Sequence, residues 1–253
     1  MDLLFLLTSF VIGLLIGLTS MGGAALMTPF LILVAGVRPT IAIGTDLMYS
    51  AITKWFGAGV HWRQGTVDLR MVWRLAAGSV SGGLLGVAAI GRLAAHGLDA
   101  DQFLRHATGV LLVIVAVWIM VRCLRGHLIG EIRLNPRWLA GWGAVAWGAV
   151  VGFCVGFTSV GSGSLIAPFL LLAYPRSPAR VVGTDVFHAA ILVTVAAAAH
   201  SIAGNIDWQL ASRLLIGSIP GVLLGSYLAP RLPERKLRMG LAVVLFASGA
   251  KLI

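Results

Sequence analysis

Two stretches of the chain bring hydroxyls and glycines together at matching spacing, GLTSMGG at 17–23 and GFTSVGS at 156–162, and each runs on to Pro-Phe, at Pro29 and Pro168. Hydroxyls of Thr19, Ser20, Thr158, Ser159, Ser162 and Ser164 can donate to the oxygens of an oxyanion. Gly22, Gly23, Gly161 and Gly163 let a ligand approach the main chain closely. Pro29 and Pro168 fit near the first turn of a following helix, where a missing N–H costs little. The free amides of such a turn, aided by the helix dipole, bind anions. The chemistry is therefore anion recognition, with Thr19, Ser20, Gly22, Gly23, Thr158, Ser159, Gly161 and Ser162 as the substrate-lining candidates.

Ionisable residues within apolar segments add to this set, because charge in a bilayer is costly and generally functional. Asp46 and Asp185 each follow Gly-Thr near the start of an apolar segment. They read either as carboxylates capping a helix N-terminus or as groups that couple or gate transport of a proton or cation. Lys54 lies deep in its segment and is a candidate to attract an anionic substrate; the alternative is snorkelling to the surface. His188 is a candidate proton relay or a hydrogen-bonded packing residue. His61 and His200, at segment ends, read as interfacial. Cys123 and Cys154 have neither metal nor redox spacing, so no metal or cofactor is expected.

What positions these groups is membrane-spanning helix. Of the 253 residues 58% are hydrophobic and 11% charged, about half the charged share of a soluble domain, and the mean hydropathy is +0.95. Apolar blocks of roughly 20 residues match the thickness of a bilayer core. The net charge of +10 is better explained by basic cytoplasmic loops than by nucleic acid, which is not expected as a partner. The start MDLL lacks the basic region of a signal peptide, so the first apolar segment is taken as structure.

Shifting the chain by 139 residues aligns it with itself without a gap, and 29 of the 77 positions from 17 to 93 are identical. Gly44-Thr45-Asp46 falls on Gly183-Thr184-Asp185, and His61, Gly65 and Asp68 fall on His200, Gly204 and Asp207. Lys54 falls on Val193 and Tyr49 on His188, so those polar positions are asymmetric. The first repeat, 1–122, reads as a hairpin over 3–36 and spans 41–60, 72–91 and 103–121. A basic cytoplasmic linker follows at 123–137. The second repeat, 138–253, reads as a hairpin over 138–173 and spans 181–199, 210–229 and 236–252.

If each hairpin returns to its starting side, thirteen basic residues lie on the linker's side and five on the other, a positive-inside bias. The fold class expected is an all-α polytopic membrane protein of two inverted-topology repeats. Each is a broken or re-entrant helix hairpin followed by three transmembrane helices, with both termini periplasmic. Breaks survive in hydrocarbon only where they face protein, water or a ligand, and inverted repeats with broken helices are the mark of secondary transporters. The stripes Gly78, Gly82, Gly86 and Gly217, Gly221, Gly225 read as helix-packing faces.

The duplicated tips, the Gly-Thr-Asp of each half and the His…Gly…Asp after the next helix resemble the TauE/SafE sulfite exporter family, also called toluene sulfonate uptake permeases, over essentially the whole chain. The resemblance implies an inner-membrane carrier of sulfur-containing anions such as sulfite, sulfoacetate or other organosulfonates. It makes the tips at 19–22 and 158–161 substrate-lining and Asp46 and Asp185 recurring intramembrane acids. Expected partners are a small anion, the lipid bilayer and a proton or sodium ion, in a monomer or homodimer. Uniport stays open as well, since export of one negative charge gains about 2.3 kcal/mol per 100 mV. Two other functions use the same residues: a passive anion channel, and an intramembrane hydrolase pairing Ser162 with His188 or His200.

Overall fold

The computed structural model describes residues 3–19, 24–125, 139–173, 177–228 and 234–253, and all regular structure among them is helical. The first half holds α1 (Leu3–Thr19), α2 (Ala24–Leu33), α3 (Pro39–Arg63), α4 (Leu69–Ala95) and α5 (Ala100–Arg125). A π-helical turn at Leu139–Gly143 leads into α6 (Ala144–Thr158), followed by α7 (Ile166–Ala173), α8 (Pro178–Ile202), α9 (Trp208–Leu228) and α10 (Glu234–Leu252). The basic linker lies outside the described residues beyond Arg125.

Helices run past the ends of the apolar segments. α3 begins at Pro39 and α8 at Pro178, each with proline in its first turn, where the ring's fixed φ favours a start. Asp68 opens α4 as a true cap, its carboxylate accepting from the amides of Arg70 and Met71 at 3.0 and 3.2 Å. Pro29 is a correction: it falls inside α2 and not in its first turn. There its ring removes the amide that the Ala25 carbonyl would otherwise meet. Pro168, by contrast, does lie in the first turn of α7.

Among the described residues, four stretches are long and apolar enough to cross a membrane: Leu69–Ala95, Ala100–Leu124, Gly141–Thr158 and Ala179–Ile202. Large apolar side chains such as Val34, Phe56, Trp73, Leu85 and Leu223 stand on the outside. In water such a surface is an aggregation hazard; in lipid it is the ordinary one.

The two halves interlock. The first helix of each packs along the fourth helix of the other, α1 on α9 and α6 on α4, while α3 packs on α8 and α5 on α10. Glycine makes the first two contacts close. Gly78, Gly82 and Gly86 of α4 lie against the main chain of Val145, Ala149 and Phe153, and Gly152 of α6 lies against Ser79. In the other pair Gly13 of α1 lies against Ser218, the repeat counterpart of Ser79, and Gly221 of α9 against Phe10. A methyl group at any of these glycines overlaps main-chain atoms of the facing helix. The small-residue stripes are thus packing faces, which in lipid supply much of the association energy.

This predicts a sign reversal between two glycine-to-alanine changes. Gly82→Ala lowers stability by about 1–3 kcal/mol through overpacking. Gly59→Ala, which meets only open space, raises it by up to about 1 kcal/mol through helix propensity. Thermal unfolding in detergent, followed by tryptophan fluorescence, measures both; a higher midpoint for Gly82→Ala contradicts the packing.

Candidate functional site

The repeated Gly-Thr-Asp and His…Gly…Asp motifs meet across the halves. Thr45 of α3 accepts the amide of Asp207 at 3.0 Å, and Thr184 of α8 accepts the amide of Asp68, also at 3.0 Å. The glycine before each threonine makes room for the opposing turn, Gly44 against Asn205 and Gly183 against Thr66. The histidines brace those same turns. His61 Nδ1 lies 3.0 Å from the Thr66 hydroxyl, and His200 Nδ1 lies 3.3 Å from the Asn205 side-chain amide. Near the crossing of α3 and α8, the Trp55 indole donates to Thr194, its own repeat counterpart, at 3.0 Å.

The second tip, residues 159–165, lies between α6 and α7. α6 ends at Thr158, whose hydroxyl donates to the Cys154 carbonyl at 2.7 Å and accepts the Val160 amide at 3.2 Å. Ser159 then adopts left-handed backbone, φ 64°, a conformation that costs a residue with a Cβ about 1–2 kcal/mol. Its hydroxyl turns across the interface to Asp46 Oδ2, 2.9 Å away. Thr28 of α2 donates to the same oxygen at 2.5 Å, and Ser50 lies 3.4 Å from Oδ1. Asp46 therefore ties α2, α3 and the second tip together.

The capping reading of Asp46 and Asp185 is corrected by this geometry. α3 and α8 begin seven residues earlier, so both carboxylates sit about two turns inside their helices and are buried. The hydropathy pattern alone put the helix start too late. Asp185 Oδ1 has no hydrogen-bond partner. His188, one turn further along α8, is buried with Nε2 2.8 Å from the Ser79 hydroxyl and Nδ1 without a partner. Lys54, half-buried on α3, lies within electrostatic reach of Asp185, Asp46 and His188.

Of the candidate tip residues, Thr158, Ser159, Gly161 and Ser162 are brought together and buried, with Gly161 at φ 117°. Ser20, Gly22, Gly23 and the side chain of Thr19 lie outside the described residues. Thr158 has its donor committed to its own helix. Ser164, counted among the hydroxyl donors but not among the substrate-lining candidates, is buried and has no partner. His200 corrects the interfacial reading. It is fully buried, and its Nε2 lies 2.9 Å from the Gly156 carbonyl, a group left over where α6 ends. The His200 ring turns inward against α6, while Ile202, the last residue of α8, stays exposed. A groove of about 620 Å³ between α4, α5 and α6, lined by Phe103, Phe153 and Phe157, includes none of the residues 158–164.

Apolar helices, a lipid-compatible exterior and a buried polar tip define a multi-pass membrane protein of the transporter class. The chain belongs to the TauE/SafE sulfite exporter family, which matches residues 5–252. It is 42% identical, over the whole of both chains, to the probable membrane transporter protein YjnA of Bacillus subtilis (strain 168). It is 24% identical to the probable membrane transporter protein YdhB of the same strain, over 99% of this chain and all of that one. The probable membrane transporter protein y4hK of Sinorhizobium fredii is 30% identical, over 86% of this chain and 82% of that one. No solved structure matches the chain.

The tip geometry makes a graded prediction. Ser159→Ala loses the bond to Asp46 and keeps the left-handed strain, whereas Ser159→Gly loses the bond and relieves the strain. The glycine variant is accordingly the more stable of the two by about 1 kcal/mol. Equal unfolding midpoints in detergent count against the strained backbone.

Proposed function

We propose that the chain is a secondary transporter that carries a sulfur-containing anion, sulfite or an organosulfonate such as sulfoacetate, across the bacterial inner membrane by alternating access. The observation that carries the proposal is the second tip: a helix break buried at the junction of the two halves, with Asp46 bound to Ser159 and Lys54 within reach of the same carboxylate. A break of this kind offers main-chain and hydroxyl donors to an anion, and Lys54 supplies the attracting charge. The family's description names a sulfite exporter, and the relatives are named as probable membrane transporters, which supports the substrate class and the activity.

The reciprocal contacts favour the inverted arrangement over a simple tandem. Equivalent residues meet their counterparts' partners in both directions, as Thr45 with Asp207 and Thr184 with Asp68. A two-fold relation between halves gives each its own gate around one central site. The second tip and both acids are buried, so a ligand reaches them only when one half shifts against the other. The serine hydrolase draws no support from the histidines, since His188 pairs with Ser79 and His200 with the Gly156 carbonyl.

Anion binding to the purified protein tests the proposal by thermal shift, with sulfite, sulfate, thiosulfate, sulfoacetate and acetate compared. A ligand present at about a hundredfold its Kd stabilises the folded state by roughly 2.7 kcal/mol. The expected outcome is that sulfite or sulfoacetate raises the midpoint and that a Ser20→Ala/Ser159→Ala double variant loses the response. An equal response from the variant returns the tips to a packing role.

A further inference from the structure

The two halves carry the same Gly-Thr-Asp and surround its carboxylate differently. Around Asp46 stand the hydroxyls of Thr28, Ser50 and Ser159. Carried over by 139 residues, Thr28 becomes Ala167 and Ser50 becomes Ala189; only the counterpart of Ser159, Ser20, keeps a hydroxyl, and it lies outside the described residues. Asp185 Oδ1 is correspondingly left buried without a hydrogen-bond donor. A buried carboxylate oxygen with no donor is an expensive arrangement, and such groups in native structures call for a reason.

Ionisable groups near Asp185 narrow what that reason is. From α3 it is faced by Lys54, which also reaches His188 and Asp46. On its own helix His188 follows three residues on, the spacing that shares a helix face, and offers an unpartnered Nδ1. In the turn before α4, which meets Thr184, the Asp68 carboxylate caps α4 and His61 lies against Thr66. On α4 the described ionisable chains Arg70, Arg74 and Arg92 are exposed near the helix ends, and Ser79 is the group that meets His188. α6 offers Cys154, and α7 has no ionisable residue. A metal cation suits this place poorly. Lys54 repels it, and the exchange of Thr28 and Ser50 for alanines removes two oxygens it could use. A proton needs no ligand set.

We propose that Asp185, and not Asp46, is the proton-binding carboxylate of this carrier, and that its protonation frees Lys54 to hold the substrate anion. Ionised, Asp185 neutralises Lys54 and leaves the site unattractive to a second anion. One proton from the water-accessible side forms the O–H bond of the Asp185 carboxyl, and the Lys54 ammonium then pairs with the incoming anion. No other bond forms or breaks. Proton and monovalent anion cross together without net charge, so a pH gradient drives transport and a membrane potential does not. Asp46, held by three hydroxyls, keeps the tip in place through the cycle. The inference rests on the anion-carrier reading above.

The test uses methanesulfonate, an anion whose charge does not change between pH 5 and 9, and measures its binding to the detergent-solubilised full chain across that range. Wild-type affinity is expected to fall by about tenfold per pH unit once Asp185 ionises, the slope for one linked proton. Asp185→Asn, an uncharged mimic, binds with an affinity independent of pH, while Asp46→Asn keeps the wild-type slope and loses thermal stability. A slope that survives in Asp185→Asn, a slope abolished by Asp46→Asn, or a flat wild-type profile overturns the proposal while leaving the carrier reading intact. Failure of the wild type to bind methanesulfonate or any anion in the panel above sinks both. Lys54→Gln gives a second arm: it loses about tenfold or more in affinity at low pH, and retention of wild-type affinity also overturns the proposal.

Discussion

Main chain in a hydrocarbon layer has to find its partners inside the protein, and the second tip is where that requirement bears hardest. A helix stops at Thr158 and another starts at Ile166, so carbonyls and amides that a continuous helix would pair are released. Side chains take them up one by one. The Thr158 hydroxyl accepts the Val160 amide, His200 meets the Gly156 carbonyl, and the Trp147 indole donates to the Leu165 carbonyl at 3.3 Å. Thr158 and Trp147 stand on α6 itself and His200 on α8, so the arrangement survives only while α6 and α8 stay together. Packing of both helices on α4 keeps the break solvated by protein.

That dependence explains why the glycine contacts and the reciprocal threonine bonds occur in pairs. Helices in lipid gain little from burying apolar surface against one another, so close approach and buried hydrogen bonds must supply the cohesion. Gly152 against Ser79 and Gly13 against Ser218 are one contact written twice. The same holds for Thr45 with Asp207 and Thr184 with Asp68. Each bond contributes on the order of 1 kcal/mol, too little alone to hold two halves. Their worth lies in register: sliding one half along the other breaks every member of the set together.

Much of this was legible from spacing. Repeat copies at a constant offset of 139 residues located the break between α6 and α7, and the four-residue glycine interval identified the packing stripes. The same alignment contained the asymmetry around the acids, because Ala167 and Ala189 stand opposite Thr28 and Ser50. It had no meaning until the fold put those side chains on a carboxylate. Hydropathy misled where polar residues are buried: it left His200 at a segment end when its ring is buried against the Gly156 carbonyl, and it started α3 late enough for Asp46 to resemble a cap. Hydroxyl positions could be read from the sequence, and their partners could not. Thr158 has the right group at the right place, and its own helix end takes it.

The repeat places an acid at the same point in each half, and the proposed coupling asks different things of the two. Two carboxylates sharing one lysine within electrostatic reach cannot both be neutralised by it, so one must find its counterweight elsewhere or bind protons. Three hydroxyl donors supply that counterweight to Asp46. They also tie it to the tip, where a change of charge would loosen the junction between halves. Alanine at two of the corresponding places leaves Asp185 Oδ1 with no hydrogen bond to lose when the group changes charge. The proposed division of labour follows from this difference: the carboxylate tied to the tip holds the structure, and the one that has lost two hydroxyls is free to bind a proton.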